Sequence, residues 1–425
     1  MHQSFLSTFR ALRNRNYRLF FAGQGISTVG SLMQMIAQSW LIYRLTNSPL
    51  ILGLVAFAGQ IPAIFVTPLG GLLSDRADRR IILIAANITS MALAFVLAIL
   101  VLSKTVAPWH IILISVISGI AWTFEMTTRH SFIPEMVDKK EDLGNAIALN
   151  SVLFNVARLI GPAIAGVLIA TAGEGICFIL NGVSFITVIA ALMMMNLKKR
   201  DHTAHKHPLK ELKEGFRSAF GSVAIRYIIF LMAFISLTGS AVMVLLPVFA
   251  KEILHGSAQT FGLLTGAVGL GALTGALYMA SRKTVRGLGT IIIAALMLYG
   301  TALIAASFTG IALVTMLFLV LCGAGTMLHT ASSNTIIQTV TEDDVRGRVM
   351  SFFLLSFSAF GPLGSLIAGW LAGIFGVRIV LLCGGVSTLV AGIVFLAVLP
   401  EIRKHLKPVY IKKGIIPSDT AADVK

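Results

Sequence analysis

A chain of 425 residues that is 56% hydrophobic and only 12% charged is no soluble globular protein, which carries about twice that charged fraction. A soluble enzyme on a single anchor is excluded with it, because apolar stretches recur along the whole length. The net charge of +16 suggests nucleic acid, but Lys and Arg gather in alternate loops between the apolar stretches, so the excess is a topology signal and no nucleic-acid partner is expected.

The leader before the first span holds Arg10, Arg13, Arg15 and Arg18, and Met1-His2-Gln3-Ser4 at its start lacks the charged region and short apolar core expected of a cleaved signal. Span 1 is predicted over Leu19–Tyr43. It is polar for a membrane helix. Gln24, Thr28, Ser31 and Gln38 recur at helical spacing, with Met35 in register, and Ser27 and Gln34 widen the stripe. In lipid such a stripe faces protein or water. It is therefore either hydrogen-bonding glue between helices or the wall of an aqueous pathway.

Span 2 (Leu50–Leu73) and span 3 (Ile81–Ser103) flank Gly71-Leu72-Leu73-Ser74-Asp75-Arg76-Ala77-Asp78-Arg79-Arg80, a tight turn with five charges. Span 4 (Trp109–Thr128) carries Glu125, with Arg129 four residues on and so on the same helix face. Glu125 is the only acid within a predicted span outside the turn. Burial would favour its neutral form and suit it to proton coupling, and a structural ion pair with Arg129 is the alternative. Span 5 (Asn145–Ala170) places Arg158 near mid-membrane, which costs roughly 2.5–3.5 kcal/mol on insertion scales. Arg158 must line a cavity or meet carbonyls, Asn155 one turn away, water or an anionic substrate group. Span 6 covers Ile176–Leu197.

A lysine- and histidine-rich break follows at 198–221. Leu209, Leu212, Phe216 and Phe220 alternate there with Lys210, Lys213 and Arg217, which predicts an amphipathic helix on the membrane surface. His202, His205 and His207 have no acid or cysteine spaced to complete a metal site. Cys177, Cys322 and Cys383 each lie in an apolar run, so no metal is expected. Six further spans are predicted: Arg226–Phe249, Gly262–Ala280, Leu288–Phe308, Ile311–Ala331, Val349–Ile374 and Val377–Leu399.

Counted along the sequence, 29 of the 34 Lys and Arg fall in the leader, alternate loops and the tail. Four fall in the other loops, Arg44, Lys104, Lys251 and Arg378, and Arg158 lies within a span. Both termini are therefore expected in the cytoplasm of a bacterial-type cell, with the chain in its inner membrane.

The halves repeat. Ser151 and Gly161-Pro162 of span 5 recur as Ser351 and Gly361-Pro362 of span 11, and Gly275 to Arg286 holds the place of the 2–3 turn, with Met279 for the aspartate. Repeat alignment sets Glu125 opposite His329, a candidate proton carrier or a hydrogen-bonded helix residue. The organisation expected is an all-α membrane protein of twelve spans in two six-helix bundles: 1–197, a linker at 198–223, a second bundle at 224–400 and a basic tail at 401–425. Duplicated halves of this kind place a substrate site near the midplane.

Twelve spans as six plus six, the central basic loop and Gly71-x-x-x-Asp75-Arg76-x-x-Arg79-Arg80 resemble the major facilitator superfamily. Asp78 stands where the family usually has glycine. Ala148, Ala157, Gly161, Pro162, Ala165 and Gly166 are similar to its drug-antiporter motif, with three glycines replaced by alanine. Arg129 to Val137, Asn145 to Ser151 and Asp344 to Ser351 resemble the branch of the enterobactin exporter and its multidrug relatives. The resemblance implies secondary transport of a siderophore-like, amphipathic or drug-like small molecule, by efflux, with the span-5 motif sealing the outward side. It implies that Asp75 meets span 11 and that a proton gradient drives a monomer without a cofactor. The residues of the turn themselves, Arg76, Arg79 and Arg80 with Glu125 and Arg129 on span 4, read either as a cytoplasmic gate or as a topogenic turn alone. Import of a small metabolite and lipid or lysolipid transport are the alternatives on this fold. No cluster of acid, base and nucleophile at one depth supports an enzyme, and no phosphate loop supports an ATP-driven pump.

Overall fold

The computed structural model describes residues 9–196, 220–282, 284–342 and 345–415, with side-chain surroundings left out at Pro68, Gly71, Leu72, Asp75, Arg76 and Lys140. The surface helix expected in the linker therefore lies almost wholly outside the described residues. Every regular element among those described is helical. Among the described residues, eleven helices are long and apolar enough to cross a membrane. The helix of span 1, Arg15–Thr46, is long enough too, and its polar stripe dilutes its hydropathy. The chain is a multi-pass, all-helical membrane protein.

Local chemistry sets the helix ends. Asn47 ends span 1 in the left-handed region, at φ 46°. Span 2 starts with Pro49 behind a Ser48 cap that accepts from the Ile51 amide. It divides into Pro49–Gln60 and Pro62–Arg76, because Pro62 supplies no amide hydrogen. Span 3 is Arg79–Leu102, and Asp78 caps it by accepting from the Arg80 amide at 2.8 Å. Asp78 is extended (φ −65°, ψ 113°), so the left-handed tolerance of aspartate is not used in this turn. Span 4 is Pro108–Phe132, followed by a short 3-10 turn over Ile133–Glu135. Spans 5 and 6, Lys140–Ala172 and Glu174–Met193, join through Gly173 alone, at φ 80°. Spans 11 and 12, Arg346–Phe375 and Val377–Lys412, join in the same way through Gly376 at φ 81°, a turn only glycine adopts without strain.

Span 7, Val223–Val248, ends in a π-turn over Phe249–Ile253. Spans 8 and 9 are Ala258–Ser281 and Leu288–Phe308. Span 10 runs to Val340, past its expected end at Ala331. Ser332 and Ser333 are fully buried, and Thr335 and Thr339 bond back to the carbonyls of Ala331 and Thr335, so polar residues that read as a loop remain helical. Span 12 likewise continues through Pro400 to Lys412, so the expected tail begins as helix.

Contacts divide the chain into two compact units. The first comprises Met1–Ala204, Met243–Gly269 and Ser365–Ile374. Span 1 packs there against spans 5 and 6, and span 4 against spans 2 and 3. A core of Tyr17, Phe20, Leu83, Phe132 and Val188 lies near the 2–3 and 4–5 loops. The second unit comprises His205–Val242, Leu270–Gly364 and Phe375–Lys425, with Ile228, Ile292, Ile337 and Phe395 at its core. Below, the basic end is the one bearing the 2–3, 4–5, 8–9 and 10–11 loops.

Candidate functional site

At the basic end of the first unit, Arg79 is the centre of the 2–3 turn. Its Nη1 donates to Glu135 Oε1 and to the Ser131 carbonyl, both at 2.7 Å, and its Nε donates to the Ser74 carbonyl at 2.9 Å. The guanidinium thus ties the end of span 2 to the turn after span 4, and its acidic partner is Glu135, outside the expected residues. Arg80 donates to the Met193 carbonyl at the end of span 6. Gly71, Asp75 and Arg76 lie outside the described side chains, so the expected Asp75 contact with span 11 has no described counterpart.

Glu125 and Arg129 are both buried, with Arg129 Nη1 at 3.4 Å from Glu125 Oε1. Gln24 of span 1 donates to the same oxygen from 3.4 Å, and Thr28 bonds to the Gln24 carbonyl at 2.7 Å. The Glu125 carboxylate is held by two long contacts rather than short ones. Gln24 Oε1, Thr128 Oγ1 and Arg129 Nε are buried with no partner among the described residues. Such groups are costly unless water or a ligand reaches them.

The span-1 stripe divides between neighbours. Gln38 donates to Ser115 of span 4 at 2.7 Å, while Gln34 accepts from Asn181 of span 6 at 2.7 Å. Gln24, Gln34 and Gln38 all serve as helix-to-helix glue. Ser31 is partly exposed.

Arg158 of span 5 is partly buried and makes no hydrogen bond or ion pair with any described residue. Asn155 spends its amide hydrogens on the Ser151 carbonyl of its own helix, at 2.9 Å. The antiporter-like motif lies on the same helix. Ala157 is buried, while Ala148 is exposed. Gly161 faces span 1, where an added methyl would lie 3.0 Å from Leu32 Cβ. Beyond Pro162, Gly166 meets Gly262 of span 8, and a methyl on Gly262 would fall 3.0 Å from the Gly166 Cα. One on Gly269 would lie 2.8 Å from the Arg158 carbonyl. Gly53 of span 2 meets Gly369 of span 11 in the same manner, a methyl on Gly53 lying 2.5 Å from the Ser365 carbonyl. Two glycine crossings therefore close the end of the first unit opposite the basic one.

Three arrangements there and at the basic end escape sequence reading. Tyr43 donates to Glu252 in the π-turn, and Lys251 donates to Asn47 at 2.7 Å with its ammonium 5.3 Å from the Tyr43 ring centre. Arg44 grips buried Glu174 with two bonds, at 2.8 and 3.2 Å. Near the leader, buried Asp142 holds Arg10 and Asn14, and the Tyr17 hydroxyl donates to the Ala146 carbonyl at 2.7 Å. Each joins residues more than a hundred positions apart. The only local hint was an acid beside a helix start.

In the second unit, His329 is buried. Its Nδ1 lies 3.5 Å from Ser333 Oγ on its own helix, and its Nε2 has no partner among the described residues. Met279 accepts from Ser332 at 3.6 Å, and Arg282 donates to the Arg286 carbonyl at 2.7 Å. Among the described residues, no three His, Cys, Asp or Glu gather as metal ligands.

A family model described as transmembrane secretion effector matches residues 6–411. The staphyloferrin A transporter of Staphylococcus aureus is 24% identical, covering 92% of this chain and 98% of its own. The multidrug efflux pump Tap of Mycolicibacterium fortuitum is 25% identical over 91% and 95%. The enterobactin exporter EntS of Escherichia coli O1:K1 / APEC is 28% identical over 95% and 96%. Among solved structures, a bacterial homologue of the iron transporter ferroportin in its inward-facing state superposes with a TM-score of 0.71 at 15% identity, over 90% and 98% of the two chains, which is a likeness of fold.

Proposed function

Because the chain belongs to the transmembrane secretion effector family of the major facilitator superfamily, a family of transporters and not of enzymes, we propose that it exports an anionic, amphipathic small molecule of siderophore-like or drug-like kind, in exchange for protons and by alternating access. Arg158 carries this reading. A guanidinium inside a span is retained only where it meets a counter-charge or water, and none of the described residues supplies either. An anionic group on the cargo would complete it, as a charge-assisted, two-pronged bond.

Glu125 is the proton site in this scheme. Its carboxylate is reached by long contacts from Arg129 and Gln24, both at 3.4 Å. Gln24 ties span 1 to span 4 through this carboxylate, and Arg129 braces it from the same helix. The glycine crossings and the Tyr43–Glu252 bond are what an outward opening has to part. The distribution of Lys and Arg supports a cytoplasmic basic end, both termini cytoplasmic, in a bacterial inner membrane. The transporter works as a monomer and needs no cofactor beyond the gradient.

The test is export from proteoliposomes under an imposed pH gradient, with siderophores, dyes and antibiotics as cargo. Gradient-accelerated movement of an acidic cargo is expected, lost in Arg158→Ala and partly kept in Arg158→Lys. Export indifferent to the gradient removes proton exchange. Undiminished export of the acid by Arg158→Ala removes the anion site.

A further inference from the structure

The helix of span 12 does not end where the membrane does. Val377–Leu399 already spans about 35 Å at the rise of an α-helix, enough for a hydrocarbon core of about 30 Å. The continuation to Lys412 is a second, amphipathic piece. Ile402, Leu406 and Tyr410, one per turn, are buried in the core of the second unit with Leu288, Ile292 and Ile337. Polar bonds keep it level with the span ends instead of projecting from them. Arg403 Nη2 donates to Thr290 in the first turn of span 9 at 3.0 Å. Lys413 Nζ reaches the Thr341 carbonyl just past span 10 at 3.5 Å, and Arg286, just before span 9, donates to the Ile415 carbonyl at 2.7 Å.

With the apolar side fixed inward, the rest of the circumference is set. Helical rotation places Arg403, Lys407, Lys404 and Lys412, in that order, around the half of the circumference outside the buried stripe, with Arg403 on its flank. Arg403, Lys404 and Lys412 are exposed, and Lys407 is partly so. Glu401, the one acid between residues 401 and 415, falls between Lys404 and Lys412 on this arc, within 3.4 Å of His405.

We propose that this arc is a docking surface for the phosphodiester headgroups of anionic phospholipids in the leaflet at the basic end. The charge complementarity is four cations, with one acid among them, against a surface of phosphates next to the end of a span. The arc is held rigid by the core beneath it, so binding orders little that is not already ordered. A cluster of this size next to a membrane span attracts anionic lipid with a strength that falls as salt rises. The four cations serve the annulus of lipid, not the cargo, and this distinguishes the surface from Arg158.

The experiment uses the full chain in nanodiscs of phosphatidylcholine containing spin-labelled phosphatidylglycerol or spin-labelled phosphatidylcholine. The motionally restricted fraction should favour the glycerol lipid by roughly threefold or more at low salt and fall toward parity in high salt. R403Q/K404Q/K407Q/K412Q should abolish the preference. R403K/K404R/K407R/K412R should keep it, and R13Q/R15Q/R18Q/K139Q, which removes four exposed charges from the first unit, should leave most of it. Wild-type protein without a preference overturns the proposal. So does a preference that the arc variant retains, or one that the two glutamine variants lose equally. An arc that serves an acidic protein instead would show itself by the first of these results.

Discussion

The two ends of the first unit are closed by different physics. At the basic end, Arg79 joins Glu135 and two carbonyls, Arg129 joins Glu125, and Arg10 joins Asp142. At the other end, glycine backbones lie against each other at Gly53–Gly369 and Gly166–Gly262, with the Tyr43–Glu252 bond beside them. Ionic ties can be released one at a time by a proton or by water. Backbone crossings give no such steps, because they are either packed or parted. The two crossings also obey the repeat, since spans 5 and 8 use the same device as spans 11 and 2. The ionic tie at the 2–3 turn does not. Its counterpart has Met279 for Asp75, and Arg282 bonds within its own loop. The structure thus pairs a duplicated, apolar closure with a charged one carried by the first half.

The largest effect expected is on the buried pair. Arg129→Ala leaves buried Glu125 with only the long Gln24 contact, and breaking a buried ion pair in this way costs about 3–5 kcal/mol. Thermal unfolding should shift down by several degrees and export should lose its response to the gradient. Glu125→Gln with Arg129→Gln should recover the stability and not the response. If the double variant still follows the gradient, the proton site lies elsewhere.

Next comes the opposite end. Gly262→Leu forces a side chain into the Gly166 backbone, and overpacking of about 1–3 kcal/mol corresponds to roughly five- to 150-fold in the equilibrium that closes this end. Export should fall by that order while membrane insertion is kept. Gly310→Leu, in open space, is the control. Equal export by the two variants would mean that the crossing does not have to close.

Much of this was visible in the sequence. Apolar stretches located the spans, because a bilayer demands both length and apolarity, and span 1 stood out by its polar stripe. The errors lay at the ends of span 12, which continues past Leu399 to Lys412, and of span 10, where Ser332 and Ser333 read as loop. Their burial in the second unit depends on neighbours that are remote in the chain. Glu125 and Arg129 were legible as a pair because four residues on a helix share a face. Gln24, a hundred residues away, was legible only as part of a stripe, and the stripe turned out to serve spans 4 and 6 on different sides. The glycine crossings were half visible. The motif marked Gly161 and Gly166, but nothing local marked Gly262 or Gly53 as the surfaces they or their counterparts meet. Asp142 with Arg10 and Asn14 was illegible for the same reason.

A smaller effect is expected at Arg79. Glu135 is about a quarter exposed, so water reaches it when Arg79 is removed, and the carbonyls of Ser74 and Ser131 lose one donor each. Arg79→Ala should lower stability by about 1–3 kcal/mol, mostly through the carbonyl bonds. Glu135→Gln, which keeps an acceptor for the guanidinium, should cost less than half as much in the same unfolding measurement. Equal losses would make the ion pair, not the carbonyl bonds, the tie at this end.

The smallest effect isolates the turn itself. The capping bond from Asp78 to the Arg80 amide predicts a loss of about 1 kcal/mol for Asp78→Ala and only a few tenths for Asp78→Gly, since glycine is the better cap of the two. That order separates two accounts of the position. If the backbone needed a left-handed residue here, glycine would exceed the aspartate in stability. With the extended geometry observed, glycine falls slightly below it and alanine further. The measurement is the unfolding midpoint of the three proteins in one detergent. The result also bears on the ionic closure, because the cap fixes the start of span 3 from which Arg79 reaches Glu135. A stability order of Gly, Asp, Ala would show that the span 2–3 turn is strained and that the charged tie works against its own backbone.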